Sequence, residues 1–263
     1  MTGSGGIVGG HVIDLLGASD HHVDVVRFKG DLADVSQTKA FVDAAGPLDG
    51  VIHLGAVVAV DQVQADPARA YSVNVGGTVH LLGALAQCAQ SPHFLHCSSA
   101  HVYAPQSTAI DEDAATEPHS LYGRTKLMAE IAAKDVCEVH DIPLCIGRVF
   151  SIHDPRQTGT YLRPNILRRL NEENLDLPFD LYGADSVRDF LTARQAADVI
   201  VDLALRRFEG VINIGSGVGT KIRHFVQDLA SRPLNINGLG GQDCLLADTK
   251  KLTALQEVQY ARP

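Results

Sequence analysis

The stretch Thr2-Gly3-Ser4-Gly5-Gly6-Ile7-Val8-Gly9 decides how the rest of the chain is read. Gly3, Gly6 and Gly9 recur at every third residue, and a helical pattern over Val8–Leu16 begins at once. Each glycine has a separate task. One permits a tight turn, one lets the backbone approach a pyrophosphate, and one lets the helix pack close to a strand. The helix N-terminus then offers unpaired N–H groups to an anion. A glycine triplet alone equally suits a flexible tail, so its meaning depends on the elements downstream. Such a loop is expected to leave a strand, and only Met1 stands before Thr2. The first strand of the pattern is therefore missing from the sequence as read, which bears on the pyrophosphate end of the site.

Outward from the loop, short apolar runs alternate with longer helical patterns. Val23–Val26, Val51–His53, Phe94–Cys97 and Leu144–Val149 read as buried strands. Ser36–Ala45, Gly77–Ala89 and Leu121–His140 read as helices between them. This alternation predicts an α/β fold, a doubly wound parallel sheet with helices on both faces. Ligands bind such sheets at the carboxyl ends of the strands. Past residue 150 the rhythm changes. Helices are expected over Pro164–Glu173 and Arg194–Arg207, then a strand at Val211–Ile214 and a helix after Thr220. Residues 1–150 are read as a dinucleotide-binding domain. Residues 151–263 are read as a small C-terminal substrate-capping region, interleaved with the first.

Composition narrows the function. The 263 residues carry a net charge of −9, and no stretch is dense in Lys or Arg, which disfavours nucleic acid as a partner. No apolar run is long enough for a membrane span, and no signal peptide is visible. The five cysteines are odd in number and none forms C-x-x-C, which suits a reduced cytoplasm. The twelve histidines include no H-E-x-x-H pattern, so no metal site is expected.

Chemistry is concentrated in two places. In Ser120-Leu121-Tyr122-Gly123-Arg124-Thr125-Lys126, Tyr122 and Lys126 stand four apart on one helix face. Tyrosine, with a pKa of about 10, is a poor base at neutral pH. A nearby ammonium favours the phenolate. Tyr122 then exchanges a proton with a hydroxyl or carbonyl. Upstream, Phe94–Cys97 runs into Ser98-Ser99-Ala100-His101-Val102-Tyr103, so Ser99 falls at a strand's carboxyl end and can donate to the reacting oxygen. Singly, these are a core tyrosine, a solvent lysine and a turn-capping serine. In this order, on elements of these types, they are specific.

Together the motifs resemble the extended short-chain dehydrogenases, the NAD-dependent epimerase/dehydratase group with its Rossmann fold. The family's T-G-x-x-G-x-x-G is similar to Thr2–Gly9, with Gly3, Gly6, Ile7 and Gly9 at the cofactor. Its G-D-L-x-D resembles Gly30–Asp34, which places Asp31 and Leu32 near the adenine. Its H-L-A-A resembles His53–Ala56, so Leu54, Gly55 and Ala56 line the cofactor. Its N-x-x-G-T resembles Asn74, Gly77 and Thr78, with Asn74 at the cofactor. The resemblance implies a catalytic Ser99, Tyr122 and Lys126, with Tyr122 and Lys126 also touching the cofactor. Ala100 and His101 would face substrate. Arg188, in Arg188-Asp189-Phe190, is similar to an arginine that meets the nucleotide phosphate, and Asn213–Thr220 resembles N-I-G-S-G-x-G-T. The likeness also implies a homodimer built from Gly77–Ala89 and Leu121–His140.

Departures are also visible. Counting from Arg148, Ser151 stands where L-R-x-x-N has asparagine, which makes it a substrate contact of altered type. Ala104 replaces a glycine after Tyr103, and the arginine before Ala247–Leu252 is absent, with Gly240 and Gly241 nearby. The chain stops at Pro263, early for the family.

The resemblance implies NAD or NADP as cofactor and a nucleotide-sugar as substrate. Dehydratases of the family carry Asp-Glu after the catalytic serine, and Ala100-His101 does not match. Ser99-Ala100 resembles the 4-epimerases, which oxidise carbon 4 of the hexose transiently. Residues 51–82 resemble 4-keto-6-deoxy sugar reductases instead, and a non-catalytic dinucleotide-binding regulator is a third alternative. The second strand is read as ending at Arg27. An arginine there suits the 2′-phosphate of NADP, whereas an acid suits NAD. Arg27 facing water, or Asp24 serving as the acid, stays open.

Overall fold

The computed structural model describes residues 1–19 and 21–260. The first segments are α1 (Ile7–Gly17), α2 (Val35–Ala45), β1 (Gly50–His53), α3 (Val60–Ala65), α4 (Pro67–Tyr71), α5 (Gly77–Leu85), β2 (His93–Ser99), α6 (Leu121–Val139) and β3 (Leu144–Val149). They are followed by β4 (Ser151–His153), α7 (Leu162–Glu172), β5 (Phe179–Tyr182), β6 (Val187–Thr192), α8 (Ala193–Leu205), β7 (Gly210–Ile214), β8 (Gly219–Lys221), α9 (Ile222–Leu229), β9 (Ile236–Leu239), β10 (Cys244–Leu245) and α10 (Lys250–Tyr260).

Two compact units emerge. The first comprises residues 1–104, 115–149 and 193–212; the second comprises 105–114, 150–192 and 213–263. The segment containing α8 thus returns to the first unit after the chain has entered the second.

The first unit is organised by a sheet of order β1-β2-β3-β7, with β1–β2 and β2–β3 parallel. Helices α1 and α8 pack together in one layer, and α2, α5 and α6 in another. The apolar runs that read as strands become buried strands because layers of helix cover them. Phe94 meets Leu81, Leu82 and Leu85 of α5, and Ala133 and Cys137 of α6, in one buried cluster. Each such large side chain contributes about 1.5–3 kcal/mol on burial. Local chemistry fixes the helix starts. The Asp34 carboxylate caps α2 by accepting from Ser36 and Gln37 N–H, and Ser120 Oγ caps α6 by accepting from Gly123 N–H at 3.0 Å.

One strand expectation is corrected. Val23–Val26 forms no strand. Its neighbour in space is the chain's first residue: the Met1 amine donates to Val26 O, and Phe28 N–H donates to Met1 O at 2.9 Å. On the other side Thr2 forms a parallel bridge to His53, donating from its N–H to Ile52 O.

In the second unit β6 lies between β4 and β10, parallel to both, and pairs antiparallel with β8. A separate parallel pair, β5–β9, packs with α7 and α9 around Ile166, Phe179 and Val226. Among the described residues no helix is long and apolar enough to cross a membrane.

Candidate active site

The glycine loop sits at the carboxyl end of β1. Gly3 has φ +67°, and a Cβ there would lie 2.6 Å from the Leu54 carbonyl carbon. At Gly9 a Cβ would lie 2.2 Å from Gly3 O. Only glycine permits both approaches. Gly6 precedes Ile7, the first residue of α1, and no side chain caps the helix there. Its first N–H groups therefore remain available to an anion. Beside the loop opens a cleft of about 260 Å³, lined by residues 3–5 and 28–32 with Gly55, Arg69 and Val73. Asp31, Leu32 and Gly55 line the cleft with Gly3. Leu54 and Ala56 flank Gly55 in the loop after β1. Arg27 is exposed and does not belong to the cleft lining; Lys29, two residues on, does.

A polar chain braces the loop from behind. Thr78 Oγ1 donates to Asn74 O at 2.8 Å, so it accepts from His53 Nε2 at 3.1 Å. His53 Nδ1 then accepts from Thr2 Oγ1 at 2.7 Å, and Thr2 Oγ1 accepts from Gly55 N–H at 3.0 Å. This order of donors assigns His53 as the neutral Nε2–H tautomer. Burial, then the charges of Lys126 and the N-terminus, push its pKa down to about 3. The His96 ring lies tilted against His53 at 5.5 Å, fully buried, and neither of its ring nitrogens has a protein partner.

Asn74 serves a positioning role in this structure. It lies in a π turn, Ser72–Gly76, ahead of α5. Its amide accepts from Val57 N–H at 2.7 Å and donates to Val57 O and to Thr125 Oγ1 at 2.9 Å. It therefore ties the loop after β1 to α6, between Tyr122 and Lys126, rather than presenting its amide to the cleft.

The catalytic candidates assemble at the end of β2. Lys126 is buried and donates from Nζ to Cys97 O at 2.7 Å. Burial lowers its pKa, and the neighbouring Cys97 and Glu130 oppose that shift. Ser99, 6% exposed, accepts from His101 N–H at 3.3 Å and keeps its own hydroxyl proton to donate. Ala100 is buried, whereas His101 is exposed, its ring edge-on to Tyr122 at 5.7 Å. Tyr122 is half-buried in the first turn of α6. Sequence reasoning missed two supports of this arrangement. A Cβ on Gly123 would lie 2.1 Å from His101 O, so only glycine lets α6 meet the 3₁₀ turn Ala100–Val102. Glu130, four residues beyond Lys126, forms a buried ion pair with Arg148 at 2.8 Å. The Ser98 hydroxyl donates to the same carboxylate, and Arg148 donates to the Tyr103 hydroxyl at 2.8 Å. The i, i+4, i+8 spacing of Tyr122, Lys126 and Glu130 was the available signal.

In the second unit, Ser151 on β4 lies opposite Phe190 of β6, the strand that carries Arg188. Arg188 forks onto Asp243, with Nη1–Oδ1 at 2.8 Å and Nη2–Oδ2 at 3.1 Å, and remains 19% exposed. Burial raises the Asp243 pKa, but Arg188 and Ser186 outweigh it and hold the carboxyl below its usual value. The neighbouring Asp189 is fully buried and accepts from Ser216 N–H and hydroxyl, Gly217 N–H and Ala247 N–H. It organises the Asn213–Thr220 loop.

The sequence model of the NAD dependent epimerase/dehydratase family matches residues 1–215. The chain belongs to this family. As a member, it is 28% identical to a UDP-glucose 4-epimerase of Rhizobium meliloti over 90% of this chain and 83% of the relative. It is likewise 28% identical to a GDP-6-deoxy-D-mannose reductase of Pseudomonas aeruginosa, over 88% of this chain and 78% of that one. Among solved structures, RMD from Pseudomonas aeruginosa complexed with NADPH superposes with TM-score 0.83 at 25% identity, covering 96% of this chain and 89% of the other. The UDP-glucose 4-epimerase of Thermus thermophilus in complex with NAD shares the fold, with TM-score 0.78 at 23% identity, over 97% and 91%. The parallel sheet and its helical layers are those of a Rossmann-like enzyme.

Proposed function

We propose that this chain is an NAD(P)-dependent nucleotide-sugar epimerase that oxidises carbon 4 of the hexose transiently. The observation that carries the reading is the bond from Lys126 to Cys97 O, which seats the Tyr122 helix against the strand ending in Ser99. The glycine loop fits a dinucleotide, because Gly3 and Gly9 leave no room for a Cβ, the α1 N-terminus has no side-chain cap, and a cleft opens beside both. Residues of that loop, with Asp31, Leu32 and Gly55, would hold the cofactor, which supplies hydride acceptance and return.

The chain's own residues do the rest. Tyr122 Oη takes the proton of the carbon-4 hydroxyl as that carbon gives up its hydrogen as hydride, and a C=O bond forms. Ser99 donates to the same oxygen as it develops carbonyl character. Lys126 favours the phenolate of Tyr122, and the two Nζ protons not used by Cys97 are available to the cofactor ribose. Return of hydride to the opposite face, with the proton returned by Tyr122, inverts the centre. Arg188 and Ser151, on neighbouring strands of one sheet, are the groups for the nucleotide phosphate and the sugar. The likeness to the UDP-glucose 4-epimerases, together with Ser99-Ala100, supports epimerisation.

The likeness to a GDP-6-deoxy-D-mannose reductase and to RMD with NADPH favours a second reading, net reduction of a 4-keto nucleotide-sugar at the same three residues. One assay separates the two. Purified protein is given NAD(H) or NADP(H) with a panel of nucleotide-sugars and their 4-keto forms. Absorbance at 340 nm and sugar chromatography are followed together. Interconversion without net absorbance change supports the epimerase, and loss of absorbance with a keto sugar supports the reductase. Binding of cofactor without any sugar conversion would sink both and leave a dinucleotide-binding regulator.

A homodimer and a cytoplasmic location complete the reading. Val79 of α5 and Met128 and Ile131 of α6 are exposed apolar side chains on the two helices that the family resemblance assigns to dimerisation. Light scattering that reports a monomer overturns this part.

A further inference from the structure

We infer that the buried pair of Glu130 and Arg148 is a positioning device for Ser99. It pins both ends of the turn that begins at the serine, and so sets where the serine hydroxyl stands. Neither member of the pair touches the reacting atoms; each acts through Ser98 or Tyr103. The inference deepens the reading of Ser99 as the donor to the carbon-4 oxygen, and rests on it.

Ser99 ends β2, and the 3₁₀ turn Ala100–Val102 follows it. Ser98 stands before this segment and Tyr103 after it. The Ser98 hydroxyl donates to Glu130 Oε1. The Tyr103 hydroxyl accepts from Arg148 Nη1 at 2.8 Å, and the guanidinium carbon lies 4.7 Å from the centre of the Tyr103 ring. Arg148 in turn donates from Nη2 to Glu130 Oε2 at 2.8 Å and from Nε to Oε1 at 3.1 Å. Parallel N–H···O bonds of this kind fix orientation as well as distance. One ion pair therefore holds the segment at both ends, and all four residues are buried.

The strand geometry turns this clamp into a constraint on the serine. Successive residues of a strand point to opposite faces. Ser98 is held on the α6 side by Glu130, which directs Ser99 to the other side. Arg148 stands directly across from Ser98 in the β2–β3 register, and Glu130 is one helical turn beyond Lys126, which holds Cys97 O. Ser99 accepts from His101 N–H at 3.3 Å, inside the same segment, so that bond does not tie the segment to the rest of the fold. Stability alone gives no reason for the pair, because well-packed apolar residues often replace a buried ion pair without loss. Its directed bonds to the two ends of the catalytic turn do give one.

Ser98→Ala with Tyr103→Phe removes both anchors and leaves Glu130 and Arg148 paired. Amide hydrogen exchange, followed by mass spectrometry, reads the segment without any substrate. The His101 and Tyr103 N–H groups donate to Ser99 Oγ and Ala100 O. They are expected to exchange about tenfold or more faster in this variant, while α5 keeps its rate. Sugar conversion is the second readout. Its kcat is expected to fall about tenfold to hundredfold, as for a misplaced catalytic group, with KM changed by less than about threefold. In a Ser99→Ala background the same two substitutions are expected to add less than about twofold, because anchors that act through Ser99 then have nothing to place. Glu130→Leu with Arg148→Met removes the clamp itself and is expected to reproduce both effects. Unchanged exchange in the segment, equally faster exchange in α5, or a loss of kcat that persists in full beside Ser99→Ala overturns the inference and leaves Ser99 as the donor. Unaltered turnover in Ser99→Ala alone, or no sugar conversion by the unaltered protein, overturns the reading of Ser99 and the inference with it.

Discussion

Lys126 donates to the carbonyl oxygen of Cys97 across 2.7 Å, joining the first turns of α6 to the last residues of β2. Cys97 is two residues from Ser99 on that strand, and Lys126 is one helical turn from Tyr122. The bond therefore fixes where the phenol stands relative to the serine. It also holds a buried ammonium whose charge the chemistry needs.

The first prediction comes from that division of labour. Tyr122→Phe removes the proton carrier and leaves the helix in place. Sugar conversion is expected to fall about 10²–10⁴-fold, the usual worth of a positioned acid or base. Binding of the reduced dinucleotide, monitored by nicotinamide fluorescence, is expected to persist. Lys126→Met removes the ammonium and strands the Cys97 carbonyl. It should lower conversion and also cost about 1–3 kcal/mol of stability for the unsatisfied buried acceptor. Wild-type turnover in Tyr122→Phe would show that the assignment is mistaken.

The second prediction concerns Glu130 and Arg148, whose side chains are 0% and 4% exposed. Glu130→Ala leaves the Arg148 guanidinium buried without its carboxylate, and costs on this order run to about 3–5 kcal/mol. Replacing both, as Glu130→Leu with Arg148→Met, removes two charges together and should cost far less than either single change. Urea denaturation of the three variants checks this. A double variant as unstable as the sum of the singles would mean that the two side chains are not coupled, and would refute this reading of the pair.

The sequence made the helices and the central strands legible because their signals are local. Glycine spacing marks the loop, and apolar runs mark β1, β2 and β3. Val23–Val26 has the same apolar character and still forms no strand, because a strand exists only where a partner strand pairs with it along its length. Arg27, whose place was counted from the end of that strand, is exposed and outside the cleft lining, the alternative that the sequence had left open. The Arg69–Asp31 pair was invisible, because its partners stand 38 residues apart in sequence and no local pattern marks such a pair. Asn74 matched a motif, and only the structure shows that its amide is committed to Val57 and Thr125.

The third prediction is acid lability with a named source. His53 is held neutral with its pKa pushed down to about 3, and burial pushes His96 well below its usual value. In the unfolded chain both take up protons near pH 6.5. Below that pH the unfolded state binds more protons than the folded one, so stability falls as pH falls. It is fully present above pH 6.5 and declines by about 1.4 kcal/mol per pH unit for each imidazole. Between pH 7 and pH 5 His53 alone should cost about 2 kcal/mol, and His96 adds to that loss. His96→Phe, beside Phe94, is expected to reduce the loss. Denaturation at the two pH values measures it, and a variant with the unaltered pH dependence would exclude His96 as a source.

The fourth prediction separates two glycines in helices that differ only in what surrounds them. At Gly10 of α1 a Cβ would meet nothing within 4 Å. Gly10→Ala should therefore gain about 0.5–1 kcal/mol from helix propensity. At Gly123 of α6 a Cβ would fall 2.1 Å from His101 O and 2.9 Å from Pro118 Cβ. The backbone carbonyl cannot rotate away, so the first turn of α6 must lift from the Ala100–Val102 turn. That turn comes directly after Ser99, and the lifted residues include Tyr122. Gly123→Ala is therefore expected to reduce sugar conversion severely even where the fold survives. Dinucleotide affinity should fall less than conversion, because the glycine loop and its cleft lie apart from α6 while Tyr122 and Lys126 reach only the ribose end of the cofactor. Conversion rate and dinucleotide affinity, measured on the same folded sample, separate displacement of the catalytic helix from general unfolding. Equal losses in both would mean that the close approach of Gly123 to His101 matters only for stability.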